Sequence, residues 1–196
     1  MPGRVKLSEY SEVTGMKKII SLVVLLVGLL AATSVFAVEQ QRAGFIVYDY
    51  SGNMEAEDYK SFRIVTRWAY RFPYYVLLEG KDVAAARQVL GQQVIDRKEL
   101  LQAAEADNLD VVVLVRLYDF LEFIDTSRSG MENGPIVRID ACGDLIVYRR
   151  DSGKVLVDKV NEREFYDLGN HKTPGEIFKW RLSDLVNRME GRELIR

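Results

Sequence analysis

An α+β fold with one mixed sheet is what this sequence predicts, about five strands backed by three to four helices in the order β-α-β-α-α-β-β-β-α. Three observations lead there. Val111-Val112-Val113-Leu114-Val115 is an unbroken apolar run, the mark of a strand covered on both faces. Ile136 to Arg149 instead alternates. Val137, Ile139, Ala141, Leu145 and Val147 point one way and Arg138, Asp140, Cys142 and Asp144 the other, as in a half-solvated strand. Near the C-terminus, Thr173, Pro174 and Glu176 form a helix-start signature ahead of Phe178, Leu182, Leu185 and Met189 at helical spacing.

The other elements follow in chain order. Ala43 to Tyr48 is a short strand-type run, closed by the turn-prone Asp49 to Asn53. From Ala56 to Phe72, the residues Tyr59, Phe62, Val65, Thr66, Ala69 and Phe72 recur every three or four positions, which predicts one helix face. Pro73 ends it. Tyr74 to Glu79 reads as the second strand, with a turn at Gly80 and Lys81. Asp82 is the expected cap of a short helix carrying Val83, Ala86 and Leu90 inward, broken by Gly91. Asp96 and Glu99 have capping-box spacing for a further helix with Leu100, Leu101 and Ala104 on its apolar side. A polar connection, Asp125 to Gly134, separates the buried strand from the alternating one. Asp151-Ser152-Gly153 predicts a three-residue hairpin turn with Gly153 left-handed, and Val155 to Phe165 returns.

The apolar residues are unevenly spread. Ile19 to Ala32 carries no charge, Lys17 and Lys18 precede it, and Val35-Phe36-Ala37 offers small residues before a polar stretch. This is the layout of a secretory signal. The expected organisation is an upstream extension or long n-region over 1–15, a signal peptide over 16–37 cut after Ala37, and one α+β domain over 38–196. Met16-Lys17-Lys18 is the better signal start. The alternative is an uncleaved anchor, since Ile19 to Val38 is long enough to span the hydrocarbon. The protein is therefore expected to be exported, to a periplasm or beyond the cell.

Charge excludes some classes. The chain has 27 Lys and Arg against 29 Asp and Glu. Residues 1–37 hold four of the former and two of the latter, so the mature domain has 23 and 27, net −4. That gives no pull toward nucleic acid. A lone Cys142 excludes an internal disulfide, and a lone His171 excludes a multi-His metal site. As a nucleophile Cys142 would need His171, and the flanking Asp140 and Asp144 oppose a thiolate; the plain reading is a quiet strand cysteine. His171 reads as a surface-loop residue. Asp140, Cys142, Asp144 and His171 fit no metal-ligand spacing. Asp119, Glu122, Asp125, Asp158, Glu162 and Glu164 are numerous enough for a carboxylate pair, but nothing selects two of them. Phosphate loops and a Gly-x-Ser-x-Gly elbow are absent. No catalytic residue, cofactor or metal is therefore expected.

One face stands out for binding. Arg63, Arg67 and Arg71 lie four apart along the first helix, with Lys60, Trp68 and Tyr70 nearby. The ladder suits an acidic protein partner or an anionic membrane surface, against the plainer reading of a solvated helix face. Lys179 and Trp180 on the last helix invite the same two readings.

Two segments carry a family resemblance: the helix Leu100–Asp107 running through Asn108-Leu109-Asp110 into Val111–Leu114, and Gly143–Tyr148 turning through Asp151-Ser152-Gly153 into Lys154-Val155-Leu156. In this order they resemble a family of bacterial envelope domains. It includes the N-terminal domain of the Tol-system periplasmic propeller protein, the curli secretion lipoprotein and the lipoprotein activators of penicillin-binding proteins. The chain departs from the lipoprotein members in having no cysteine near the end of its apolar run. The resemblance implies an exported, non-enzymatic protein that binds another envelope protein in an accessory or assembly role. The alternatives are a domain tethered by an uncleaved N-terminal helix, docked through the Arg63 ladder, and a hydrolase of envelope polymers.

Overall fold

Apolar residues on both sides of one strand dictate a sheet covered from two directions. The computed structural model describes residues 40–91, 95–125, 136–167 and 171–192. Five strands form one sheet in the order β2-β1-β3-β4-β5: β1 Gln41–Asp49, β2 Tyr75–Leu78, β3 Val111–Asp125, β4 Ile136–Arg149 and β5 Lys154–Asp167. The helices are α1 Ala56–Ala69, α2 Ala84–Leu90, α3 Arg97–Ala106 and α4 Pro174–Met189, with a 3-10 turn over Gly80–Val83 before α2. Strand β1 pairs in parallel with β2 and with β3, and β3-β4-β5 is antiparallel. The sheet is mixed and the element order is the expected one. Gln40–Arg196 is a compact unit in itself.

Odd and even residues of β3 feed two different cores. Val111, Val113, Val115 and Leu117 join Phe45, Phe62, Phe178, Leu182 and Leu185 under α1 and α4. Val112 and Leu114 join Ile46, Val83, Leu90, Leu100 and Ala104 under α2 and α3. All five residues of the Val111–Val115 run are fully buried, as an inner strand with helices on both faces requires. The first core also contains Phe178 between Phe62 and Phe120, with centroids 6.3 and 5.9 Å away. Such tilted rings fill volume at native density.

Several local expectations change. The α1 helix stops at Ala69, so Phe72 lies beyond it and is exposed. Its apolar period is real through Ala69 but does not continue past the turn that Pro73 forces. Tyr70, expected beside the basic ladder, is buried against Tyr75 instead. Strand β2 is shorter than the Tyr74–Glu79 run. The N-cap of α2 is Val83, not Asp82; the Asp107 carboxylate accepts the Ala86 N–H at 2.7 Å from across the fold. On α3, Ala103 is buried and Leu101 exposed.

Strand β4 is half-solvated only in its first part. Ile146 and Tyr148, on the polar-side parity, are buried under α2 and α3. The hairpin loop is Arg150–Gly153, one residue longer than expected, with Gly153 at φ +59° as foreseen. The capping boxes at Asp96/Glu99 and Thr173/Glu176 both form. The signal segment and most of the 125–134 connection lie outside the described residues. Among the described residues no helix is long and apolar enough to cross a membrane.

Candidate interaction surfaces

The basic ladder on α1 divides into two parts. Arg63 is engaged: its Nε donates to both Glu79 oxygens at 2.7 and 2.8 Å, and Tyr59 OH donates to the same carboxylate. Glu79, the residue after β2, thereby ties α1 to the end of that strand. Arg67 and Arg71 point elsewhere. With Ile64 and Trp68 they line a groove on the outer side of α1. Trp68 is 67% exposed, and Phe72 and Tyr74 in the connection to β2 are 77% and 61% exposed. No acidic residue occurs from Arg63 to Leu78.

The second surface is the free edge of β5. It is 14 residues long and pairs with β4 from Lys154 to Asp167 without a register shift. Among the described residues its other side has no neighbouring strand, so alternate backbone N–H and C=O groups face outward. Val157 and Phe165 are exposed on it. Edges of this length are usually interrupted by a bulge or proline; β5 has neither, and its protection is charge alone, from Lys154, Asp158, Lys159, Glu162, Arg163, Glu164 and Asp167.

The sheet face beyond α2 and α3 carries a cation-aromatic row. Tyr48 and Tyr50 stack at 5.8 Å, Tyr50 and Tyr118 at 5.8 Å, and Arg116 lies 5.7 and 5.5 Å from the Tyr50 and Tyr118 rings. Tyr118 is the extra residue where the β3–β4 register shifts. Its hydroxyl donates to Asp144 at 2.7 Å, and burial together with that carboxylate pushes its pKa up to about 12. Next along, Arg138 lies between Phe123 and Phe165 and pairs with Asp140 at 2.8 Å. Nothing in the sequence order singles out this row, because the bulge and the long-range register assemble it.

The residues weighed for chemistry are kept apart. Cys142 occupies this same sheet face, where its thiol donates to Asn161 Oδ1 at 3.2 Å. His171 bonds Glu122 through Nε2 at 2.8 Å. Glu122 pairs with Ile139, a residue of the α4-side core, so the sheet separates His171 from Cys142. His171 is half-buried rather than a bare surface residue, with 14% of its side chain exposed, because Glu122 holds it against the sheet. The carboxylates have other partners: Asp119 meets Arg163, Asp158 and Glu162 share Arg181, and Glu164 accepts from Tyr166 OH. Of Asp125 only the backbone is described. Among the described residues, no group of His, Cys, Asp and Glu could hold a metal.

A cleft of about 360 Å³ lies where the N-termini of α1 and α4 meet, lined by Glu55, Asp58, Phe120, Glu122, Thr173 and Gly175, among others. Its charge is self-contained. Asp58 accepts the Glu55 N–H within the α1 capping box, and burial raises its pKa.

No protein-family profile matches the chain, and no curated protein matches it. Solved structures similar to it are distant. A hypothetical protein of Chlamydia trachomatis is 13% identical, covering 78% of this chain and 97% of that one, with a TM-score of 0.45. A lipoprotein of Neisseria meningitidis, GNA1162, is 11% identical over 77% of this chain and 99% of its own, at 0.38. The C-terminal domain of LpoB from Salmonella enterica is 12% identical over 66% and 87%, at 0.33.

Proposed function

We propose that this is an exported, non-enzymatic cell-envelope protein that binds another envelope protein, and that the contact is made along the edge of β5. The open edge carries the proposal. A regular 14-residue strand with outward amides and carbonyls offers an extended segment a full ladder of backbone hydrogen bonds, while Val157 and Phe165 give it side-chain contacts. The signal layout of residues 16–37 and the resemblance to envelope binding domains support the location and the accessory role. The separation of Cys142 from His171 by the sheet weakens the hydrolase alternative.

Affinity capture from intact cells tests the reading. One specific envelope protein should be recovered with the unaltered chain and depleted with Val157→Glu, which replaces an exposed apolar side chain beside the incoming strand by a charge. Recovery of the protein alone, or equal capture by both forms, contradicts it.

A further inference from the structure

The structure assigns a second role to the outer face of α1, distinct from the β5 edge: we propose that Trp68, Phe72 and Tyr74, with Arg67 and Arg71, dock this domain on the surface of an anionic lipid bilayer. Three observations select that occupant. The first is chemical. Three aromatics exposed by more than half stand within seven residues of chain, with the exposed Ile64 beside them. Trp and Tyr have an apolar body and a polar tip, which suits the headgroup level of a membrane.

The second is electrostatic. Arg67 and Arg71 make no ion pair among the described residues, whereas Arg63, a turn earlier, is held by Glu79. The acid-free run from Arg63 to Leu78 is therefore a local positive field on a domain whose net charge is negative. Its complement is an anionic surface. A phospholipid headgroup layer supplies negative charge and an apolar layer just beneath it, matching the Arg–Trp groove in both respects. An acidic protein would meet the arginines and leave the three protruding aromatics to be matched by pockets of its own.

The third is topological. The Gln41 N–H donates to Tyr74 O at 2.8 Å, and Gln41 pairs with Tyr75. The chain thus enters the domain at the edge of the patch. Arg42, the next residue, is also exposed and adds a positive charge at that edge.

The test uses residues 38–196, the form that cleavage after Ala37 would leave, with Trp180→Phe so that Trp68 is the single indole reporter. The probe is phosphatidylcholine vesicles with and without phosphatidylglycerol. Trp68 emission should shift to shorter wavelength, and the protein should co-sediment, only when the anionic lipid is present. Replacing Arg67 and Arg71 together with Gln should lower partitioning about thirtyfold, at about fivefold for each charge near the surface. Trp68→Ala should lower it further, and added salt should weaken binding by the unaltered chain. Lys154→Gln with Lys159→Gln, on β5, should leave partitioning unchanged. Equal melting temperatures confirm that each variant is folded. The proposal is overturned by no partitioning, by equal binding to neutral vesicles, or by indifference to the two arginines. Capture of an acidic soluble protein through this face, with vesicles left unbound, also overturns it. None of these outcomes bears on partner capture through β5, so the two readings stand or fall separately.

Discussion

Gly143 is where the packing leaves no space for even one more methyl group. It lies on β4 opposite Leu117, beside the β3 register shift, and faces α4. A Cβ built there would sit 2.7 and 2.9 Å from the Phe178 ring carbons Cζ and Cε1, and closer still to the Arg116 carbonyl oxygen. Carbon atoms pack best at about 3.5–4.0 Å, so the ring would have to retreat by roughly 0.8 Å. Phe178 cannot retreat freely, because it is fully buried between Phe62 and Phe120. The carbonyl belongs to the sheet ladder and cannot turn away. Overpacking of this kind costs about 3 kcal/mol, offset by less than about 1 kcal/mol from the lower backbone entropy of alanine in the unfolded chain. Gly143→Ala should therefore destabilise the domain by about 2–3 kcal/mol, or roughly 4–12 °C in Tm for a domain of this size. Urea unfolding and a thermal melt of residues 38–196 measure it. Phe178→Leu in the same background should recover only part of the loss, since the carbonyl contact remains. A Tm unchanged within about 2 °C would refute the account of how α4 seats on the sheet.

Three further expectations come from the same contacts. Asp107→Ala removes the carboxylate that accepts the Ala86 N–H and should lower stability by about 1 kcal/mol, as loss of an N-terminal cap does; a change below about 0.3 kcal/mol would mean that the contact does not cap α2. Burial opposes ionisation of Asp49, but the Ser51 hydroxyl and the Ser51, Gly52 and Met54 amides outweigh it and hold its pKa below the usual carboxylate value. Its stabilisation is thus present at neutral pH and is lost as pH falls through the depressed folded value. The stability difference between the unaltered chain and Asp49→Ala should shrink on going from neutral pH to below the ordinary carboxylate pKa, and a gap that stays constant or widens contradicts the assignment. N-terminal sequencing of the protein recovered from cells should begin at Val38, whereas a start at or before Ile19 would establish the retained anchor.

How far the sequence discloses the fold depends on the range of the interaction. Capping boxes, the Val111–Val115 run and the Gly153 turn are local: a few adjacent side chains decide them, so they are legible residue by residue. Elsewhere local spacing does not decide the outcome. Asp82 looks like a cap because Asp107, 25 positions later, is invisible to local spacing. Phe72 continues the apolar period of α1 numerically, but the helix has already ended. Ile146 and Tyr148 share a parity with solvated residues, yet α2 and α3 cover that part of the face.

The same limit applies to the surfaces. The arginine ladder is visible as a spacing, but Glu79 removes Arg63 from it, and the turn after α1 adds Phe72 and Tyr74. The exposed edge of β5 follows from strand order, which no local pattern encodes.

The central claim is that β5 receives an extended segment of another envelope protein, and site-specific photo-crosslinking in intact cells tests it most directly. A photoreactive residue in place of Val157 or Lys159 should yield the same single crosslinked envelope protein from both positions. The same residue in place of Gln88, exposed on α2, should yield none. Crosslinking from Gln88 but not from β5, or no adduct at either β5 position, would contradict the account.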